Sequence, residues 1–252
     1  LSLFPSARRP VARADWAGTA ALGVLWLAFP LSMFPFAEQH VSSALAGMLN
    51  GALPLFATVV ASVLARQWPS RGVSLGVVIG MGGAVVMALP ALGGANSAVG
   101  VALIAVALVS YGMALNMARP LQQRNGAVPV IWRALGVALI LTAPLGAPAL
   151  ANAHWTWPVA LSMAGLGAGG TAIAHVLTAT AAGRLGATKA SATAFLMPVV
   201  ALVLGVTLRG EHVTMVSVAG AAICLLGAAI LRDPSMIAAW LPRRLVGVGA
   251  RV

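Results

Sequence analysis

A chain of 252 residues could form one large soluble domain, but with 60% hydrophobic and 8% charged residues it has too little polar surface to cover itself in water. The net charge of +11 does not point to nucleic acid, because the basic residues fall singly or in pairs between apolar runs and not on one face or tail. A lone cysteine, Cys224, lies inside an apolar run; it excludes an intrachain disulfide and reads as a small packing residue.

Taken in order, the chain predicts an all-α polytopic membrane protein. Residues 1–16 form a short basic segment with Arg8, Arg9 and Arg13. They do not read as a signal peptide, since a full-length span follows and no small-residue cleavage site does. Eight spans of roughly 20 residues follow: Ala17–Phe36, Val41–Ala65, Val73–Leu92, Ala98–Met117, Val128–Leu150, Trp157–Thr180, Lys189–Leu208 and Val213–Leu231. Residues 232–252 are a tail. The connections are short, as in a compact helical bundle.

Polar groups within the spans are few. Trp26, in the middle of span one, is a cavity wall or a lipid-facing ring. Glu38 and Gln39, with His40, follow that span at its outer end; Glu38 is either a gate or proton-coupling carboxylate or a solvated loop acid. Asn50 lies in span two, four residues before Pro54. An intramembrane amide needs partners, so Asn50 lines a cavity or bonds across helices. Tyr111 and Asn116 fall toward the inner end of span four, where cavity lining competes with interfacial anchoring. His175 is the histidine well inside an apolar run; it is either a functional titratable group at that depth or a neutral histidine hydrogen-bonded across helices. Pro54 and Pro198 are helix kinks, tolerated because membrane neighbours re-satisfy the freed carbonyl. Glu211 and Arg209 form a loop ion pair in the simplest reading.

The charges orient the chain. With loops alternating from the N-terminus, one side receives 14 of the 15 basic residues, counting Arg133 as snorkelling to it, and the other receives Arg209 alone. The first side is therefore expected to be cytoplasmic, with both termini on it. Trp155 and Trp157 mark the opposite interface.

A shift of 144 positions lays residues 46–88 over 190–232 without a gap. Pro54 falls on Pro198, Gly76 on Gly220 and Gly83 on Gly227. Leu22-Gly23 and Leu166-Gly167 extend the match upstream. Equivalent spans enter from opposite sides, so the expected architecture is an inverted repeat: residues 17–92 as a first, three-helix copy and 98–231 as a five-helix copy. Three helices against five predicts two further helices ahead of the first copy.

The pattern Leu196-x-Pro198-x-x-Ala201, then Gly205, Gly210-Glu211, Gly220 and Gly227 resembles the second half of an EamA-type member of the drug/metabolite transporter superfamily. The resemblance covers essentially residues 17–232 and implies a ten-helix inner-membrane carrier of two inverted five-helix halves. The first half departs from the pattern at Arg66-Gln67, where the family has Gly-Glu.

One chance motif drops out. Gly165-x-Gly167-x-x-Gly170 spells a dinucleotide fingerprint, but inside a span, with no preceding strand. No Walker A or HExxH sequence occurs. The expected function is a secondary, non-ATP transporter of small organic metabolites or drugs at a bacterial-type inner membrane, with export as the direction. No enzyme activity, cofactor, metal or nucleic acid is expected, and oligomerisation is left open. The alternatives are an intramembrane enzyme on a lipid-linked substrate, or a non-transporting fragment or packing partner.

Overall fold

The computed structural model describes residues 5–41, 46, 49–89, 98–150, 155–197, 199–200, 207 and 215–233. Among them there is no strand, and eight helical segments follow one another. They are α1 (Arg13–Glu38), α2 (Leu53–Ala65), α3 (Arg71–Ala88), α4 (Ala98–Asn125), α5 (Ala127–Leu150), α6 (Trp157–Leu185), α7 (Ala187–Ser191, continued by a 3-10 turn Ala192–Phe195) and α8 (Met215–Arg232). Four of them, α1, α4, α5 and α6, are long and apolar enough to cross a bilayer.

Local chemistry sets the boundaries. The Ser70 and Thr156 hydroxyls cap α3 and α6 by accepting from the N–H groups of Val73 and Val159. Gly126 (φ +83°) and Gly186 (φ +85°) turn the chain in the left-handed region, so that α4–α5 and α6–α7 join through single residues. Arg66 ends α2 at φ 52°, a conformation that a glycine adopts without a steric penalty. Under the 144-residue shift its counterpart is Gly210.

The spans differ from expectation in three places. Span two is not one kinked helix: the chain turns at Gly51–Ala52, and Pro54 sits in the first turn of α2. Proline is at ease there because the first-turn N–H groups have no intrahelical partner. Helix α4 runs eight residues past Met117, through Pro120, to Asn125. Its polar end is held by Asn125, whose amide donates to the Leu121 carbonyl and the Asp15 carboxylate. Helix α6 extends past Thr180 to Leu185.

The largest buried cluster joins α1, α4, α5 and α6 around Leu22, Trp26, Leu115, Ile131 and Ala182. The basic N-terminal segment is tied to this body. Asp15 pairs with Arg124 at 2.7 Å, and Arg133 donates to the carbonyls of Ala7 and Pro129 while its guanidinium lies over the Trp16 ring.

Among the described residues, helices α3 and α8 make the most extensive pairing. They run antiparallel, since Gly76 meets Ile230 and Leu231 whereas Gly83 meets Gly220 and Cys224. The contacts exchange under the 144-residue shift. A Cβ added to Gly83 would overlap the Cys224 nitrogen and lie 2.8 Å from the Gly220 carbonyl oxygen. A Cβ added to Gly227 would overlap the Gly80 backbone and lie 2.9 Å from the Gly76 carbonyl oxygen. At the centre, residue 80 meets its own counterpart: the Cys224 thiol donates to the Gly80 carbonyl at 3.4 Å. The helix pair is thus locally two-fold symmetric, and small residues permit the backbones to touch.

The outward faces are apolar. Ile140, Leu145 and Leu166 are each about 70% exposed, and α6 presents such residues along its length. A surface of this kind suits hydrocarbon, not water.

A candidate solute site between the two sequence halves

Two helices carry a wide π turn, Gly23–Ala28 in α1 and Leu166–Ile173 in α6. Shifted by 144, the first falls on 167–172, inside the second. In α1 the cause is Pro30. The Phe29 N–H reaches back five residues to the Val24 carbonyl, so the Leu25 carbonyl would next need the N–H of residue 30, which proline lacks. The buried Ser110 hydroxyl of α4 supplies the missing donor at 2.7 Å. In α6 the turn falls among the small residues Gly167, Gly169 and Gly170, and the Thr171 carbonyl accepts from His175 Nδ1 at 2.7 Å. Ser110→Ala would orphan the Leu25 carbonyl and is expected to cost about 1–3 kcal/mol. The detergent melting midpoint should fall; an unchanged midpoint would mean that the carbonyl finds another donor.

The π turns bring two of the expected residues together. Trp26, 4% exposed, meets the His175 ring edge-on with centroids 5.4 Å apart. With Nδ1 donating to Thr171, the Nε2 of His175 is left as an acceptor.

Asn50 stands just before the break ahead of α2. Its amide nitrogen lies 4.0 Å from the Met197 sulfur, across to the segment after α7. Its Oδ1 is buried and, among the described residues, has no hydrogen-bond partner. Tyr111 packs near Phe34, centroids 6.3 Å apart, between two buried clusters. Both N–H groups of the Asn116 amide are engaged, one set of contacts reaching the Ala57 carbonyl at 3.1 Å and the Gly112 carbonyl at 2.8 Å. That amide therefore clamps α4 to α2 and keeps only Oδ1 for anything else. Glu38 and Gln39 close the far end of α1 and are exposed. Pro198, Arg209, Glu211 and the tail from residue 234 lie outside the described residues.

Two cavities open near the arginine-rich ends of the helices. The first, about 370 Å³, is a polar vestibule walled by α2, α3, α4 and the α6–α7 turn; Thr58, Ser62, Gln67, Asn116, Arg119 and Lys189 supply its polar groups. Thr58 and Thr188 hydroxyls meet across it at 3.4 Å. The second, about 470 Å³, is an apolar groove between α2 and α3 along Leu55, Val59, Val63, Val77 and Val78. They share Thr58, Ser62, Gln67, Trp68 and Pro69. Of the expected site residues, Asn116 lines the vestibule. Asn50, His175, Trp26 and Tyr111 line neither cavity. Arg119 and Lys189, which also line the vestibule, were visible in the sequence only as side-one charges.

An all-helical bundle with apolar outer faces and a polar chamber between its sequence halves defines a multi-pass membrane protein of the transporter type. The chain belongs to the EamA-like transporter family, whose pattern matches residues 98–232, more than half of its length. It is also similar to the "Probable terminal-alkyne amino-acid exporter" of Streptantibioticus cattleyicolor, 27% identical over 226 residues that cover 89% of this chain and 75% of that protein. Both similarities indicate a transporter rather than an enzyme.

Proposed function

We propose that this protein exports small organic solutes across a bacterial inner membrane by alternating access, driven by the solute's own gradient or by protons and not by ATP. The observation that carries this reading is the vestibule, walled by α2 and α3 from one sequence half and by α4 and the α6–α7 turn from the other. It opens where the basic residues gather, the face that topology rules assign to the cytoplasm. An exporter must load from that side. The similar Streptantibioticus protein is named for an amino acid with an apolar, alkyne-ended side chain. A small amino acid of apolar side chain is accordingly the solute class we assign.

The two sequence halves act as inverted repeats that rock against each other. The reading is supported by the exchange of contacts between α3 and α8 under the 144-residue shift and by the paired π turns. Rocking needs a firm axis and compliant arms. The glycine contact supplies the axis, and the π turns, which interrupt the regular α-helical hydrogen bonding, let α1 and α6 bend. In this account Asn50, Trp26 and His175 lie on the solute's route beyond the vestibule. The orphan Asn50 Oδ1 meets a donor of the solute, and Trp26 with His175 forms the closing contact between α1 and α6. Glu38 and Gln39 mark the outer gate.

The direct cellular test is efflux. Cells preloaded with labelled norleucine and depleted of ATP should lose it faster when they express this chain; equal loss with and without the protein would refute export. A reporter active only when exported, fused after Val252, should stay silent. Activity there would reverse the assigned orientation.

A further inference from the structure

We propose that Arg119 and Lys189 form a carboxylate-binding pair at the vestibule, so that an amphipathic solute enters with its carboxylate on these cations and its apolar chain in the adjoining groove. The proposal rests on the transporter reading of the same vestibule and adds the residues that select the solute. The chain has 15 basic and 4 acidic residues, so most cations have no acid to neutralise them. Some are nevertheless occupied: Arg124 holds Asp15, and Arg133 holds two carbonyls and the Trp16 ring. Arg119 and Lys189 differ. Both line the vestibule, and among the described residues neither has a carboxylate in ion-pair reach. They come from different elements, Arg119 from α4 and Lys189 from α7, so their convergence on one chamber is a property of the fold.

The rest of the chamber complements this charge. Thr58, Ser62, Gln67 and Thr188 offer neutral hydrogen-bonding groups, with no acid among the lining residues to repel an anion. Asn116 has both amide N–H groups turned to helix carbonyls, which leaves Oδ1 as an acceptor for an ammonium group. The groove of about 470 Å³ is lined mainly by valines and Leu55, with Arg66, Trp68 and Ser74 also in its wall, and shares a side with the vestibule. That volume matches a small ligand's site and accommodates one short chain, not a pair of acyl chains. A cationic wall beside an apolar groove thus selects a carboxylate-bearing head attached to a short hydrocarbon tail.

The test reads binding without relying on transport. Ser62→Cys, in a Cys224→Ala background, is reconstituted in phosphatidylcholine nanodiscs and labelled with a water-soluble thiol reagent; Ala61→Cys serves as a second reporter should the first disturb the fold. Norleucine should slow labelling, whereas norleucinamide, which lacks the carboxylate, should not at the same concentration. In Arg119→Gln/Lys189→Gln the half-protecting norleucine concentration should rise about tenfold or more, the size expected for losing charge-assisted hydrogen bonds. Arg119→Lys/Lys189→Arg should retain most of the protection. Equal protection by norleucinamide, or unchanged protection in the Gln/Gln variant, would overturn the carboxylate pair. Protection by phosphatidylglycerol in the nanodisc in place of norleucine would also overturn it, by assigning the cations to a lipid headgroup. If norleucine protects but is not carried across liposomes, the anion pair stands and the transporter reading fails instead.

Discussion

Replacing Gly83 or Gly227 with valine is expected to abolish the folded protein. Each glycine faces backbone atoms of the opposing helix, and even one added carbon would overlap them: the Cys224 nitrogen for Gly83, the Gly80 backbone for Gly227. Backbone cannot move aside as a flexible side chain can, so the helices must separate along the contact. Overpacking in a core typically costs about 1–3 kcal/mol and occasionally more. Here the loss extends along a helix pair whose association in lipid depends on close packing rather than on a hydrophobic driving force. The two substitutions should be equally damaging, because the two glycines occupy equivalent places in a two-fold contact. Gly82→Ala and Gly136→Ala provide the control: nothing lies within 4 Å of an added carbon at either site. There the helix should gain up to about 1 kcal/mol in propensity. Size-exclusion profiles and melting midpoints of the four variants in detergent would measure this. A folded, monodisperse Gly83→Val protein would contradict the packing account, and a large inequality between the Gly83 and Gly227 variants would contradict the symmetry.

The second large effect is a separation of stability from function at Asn50. Its Oδ1 is buried without a partner among the described residues, and a group of that kind costs the fold about 1–3 kcal/mol. Asn50→Leu keeps the volume and removes the orphan acceptor, so the variant should melt higher than the parent. If that acceptor meets the solute, the same variant should lose transport by tenfold or more. A residue that only ties helices together would behave in the opposite way, losing stability and leaving transport unchanged. Asn50→Leu with undiminished norleucine flux would remove Asn50 from the solute route.

The sequence carried the helical membrane class on composition alone, and the eight helical segments follow from the apolar runs. It also carried the glycine spacing that recurs at the α3–α8 contact, since an approach of backbone to backbone requires glycine at fixed intervals. The ends of α4 and α6 were not legible. Arg119, Pro120 and Arg124 look like a loop, and only the tertiary contacts of Asn125 with Asp15 explain why a helix persists there. The vestibule was not legible either: Arg119 and Lys189 counted as topology charges, and only the fold brings α4 and α7 to one chamber. The π turn in α1 had a visible sign, Pro30, which removes the donor for a nearby carbonyl. Its remedy did not, because Ser110 lies 85 residues away. Trp26 and His175 were each singled out as isolated polar or aromatic features, yet their edge-on contact depends on how α1 and α6 approach. For Asn116 cavity lining competed with interfacial anchoring; it lines the vestibule, and the engagement of its nitrogen by helix carbonyls is something no spacing rule foretells.

The central claim, carriage of a small solute between the two halves without ATP, is tested most directly by counterflow. Purified protein is reconstituted into liposomes loaded with unlabelled norleucine and diluted into trace labelled norleucine, with no nucleotide and no imposed ion gradient. The account predicts a transient, protein-dependent and saturable accumulation of label, depressed in Asn50→Leu and in Arg119→Gln/Lys189→Gln. Label entering protein-containing and empty liposomes at the same rate would contradict it.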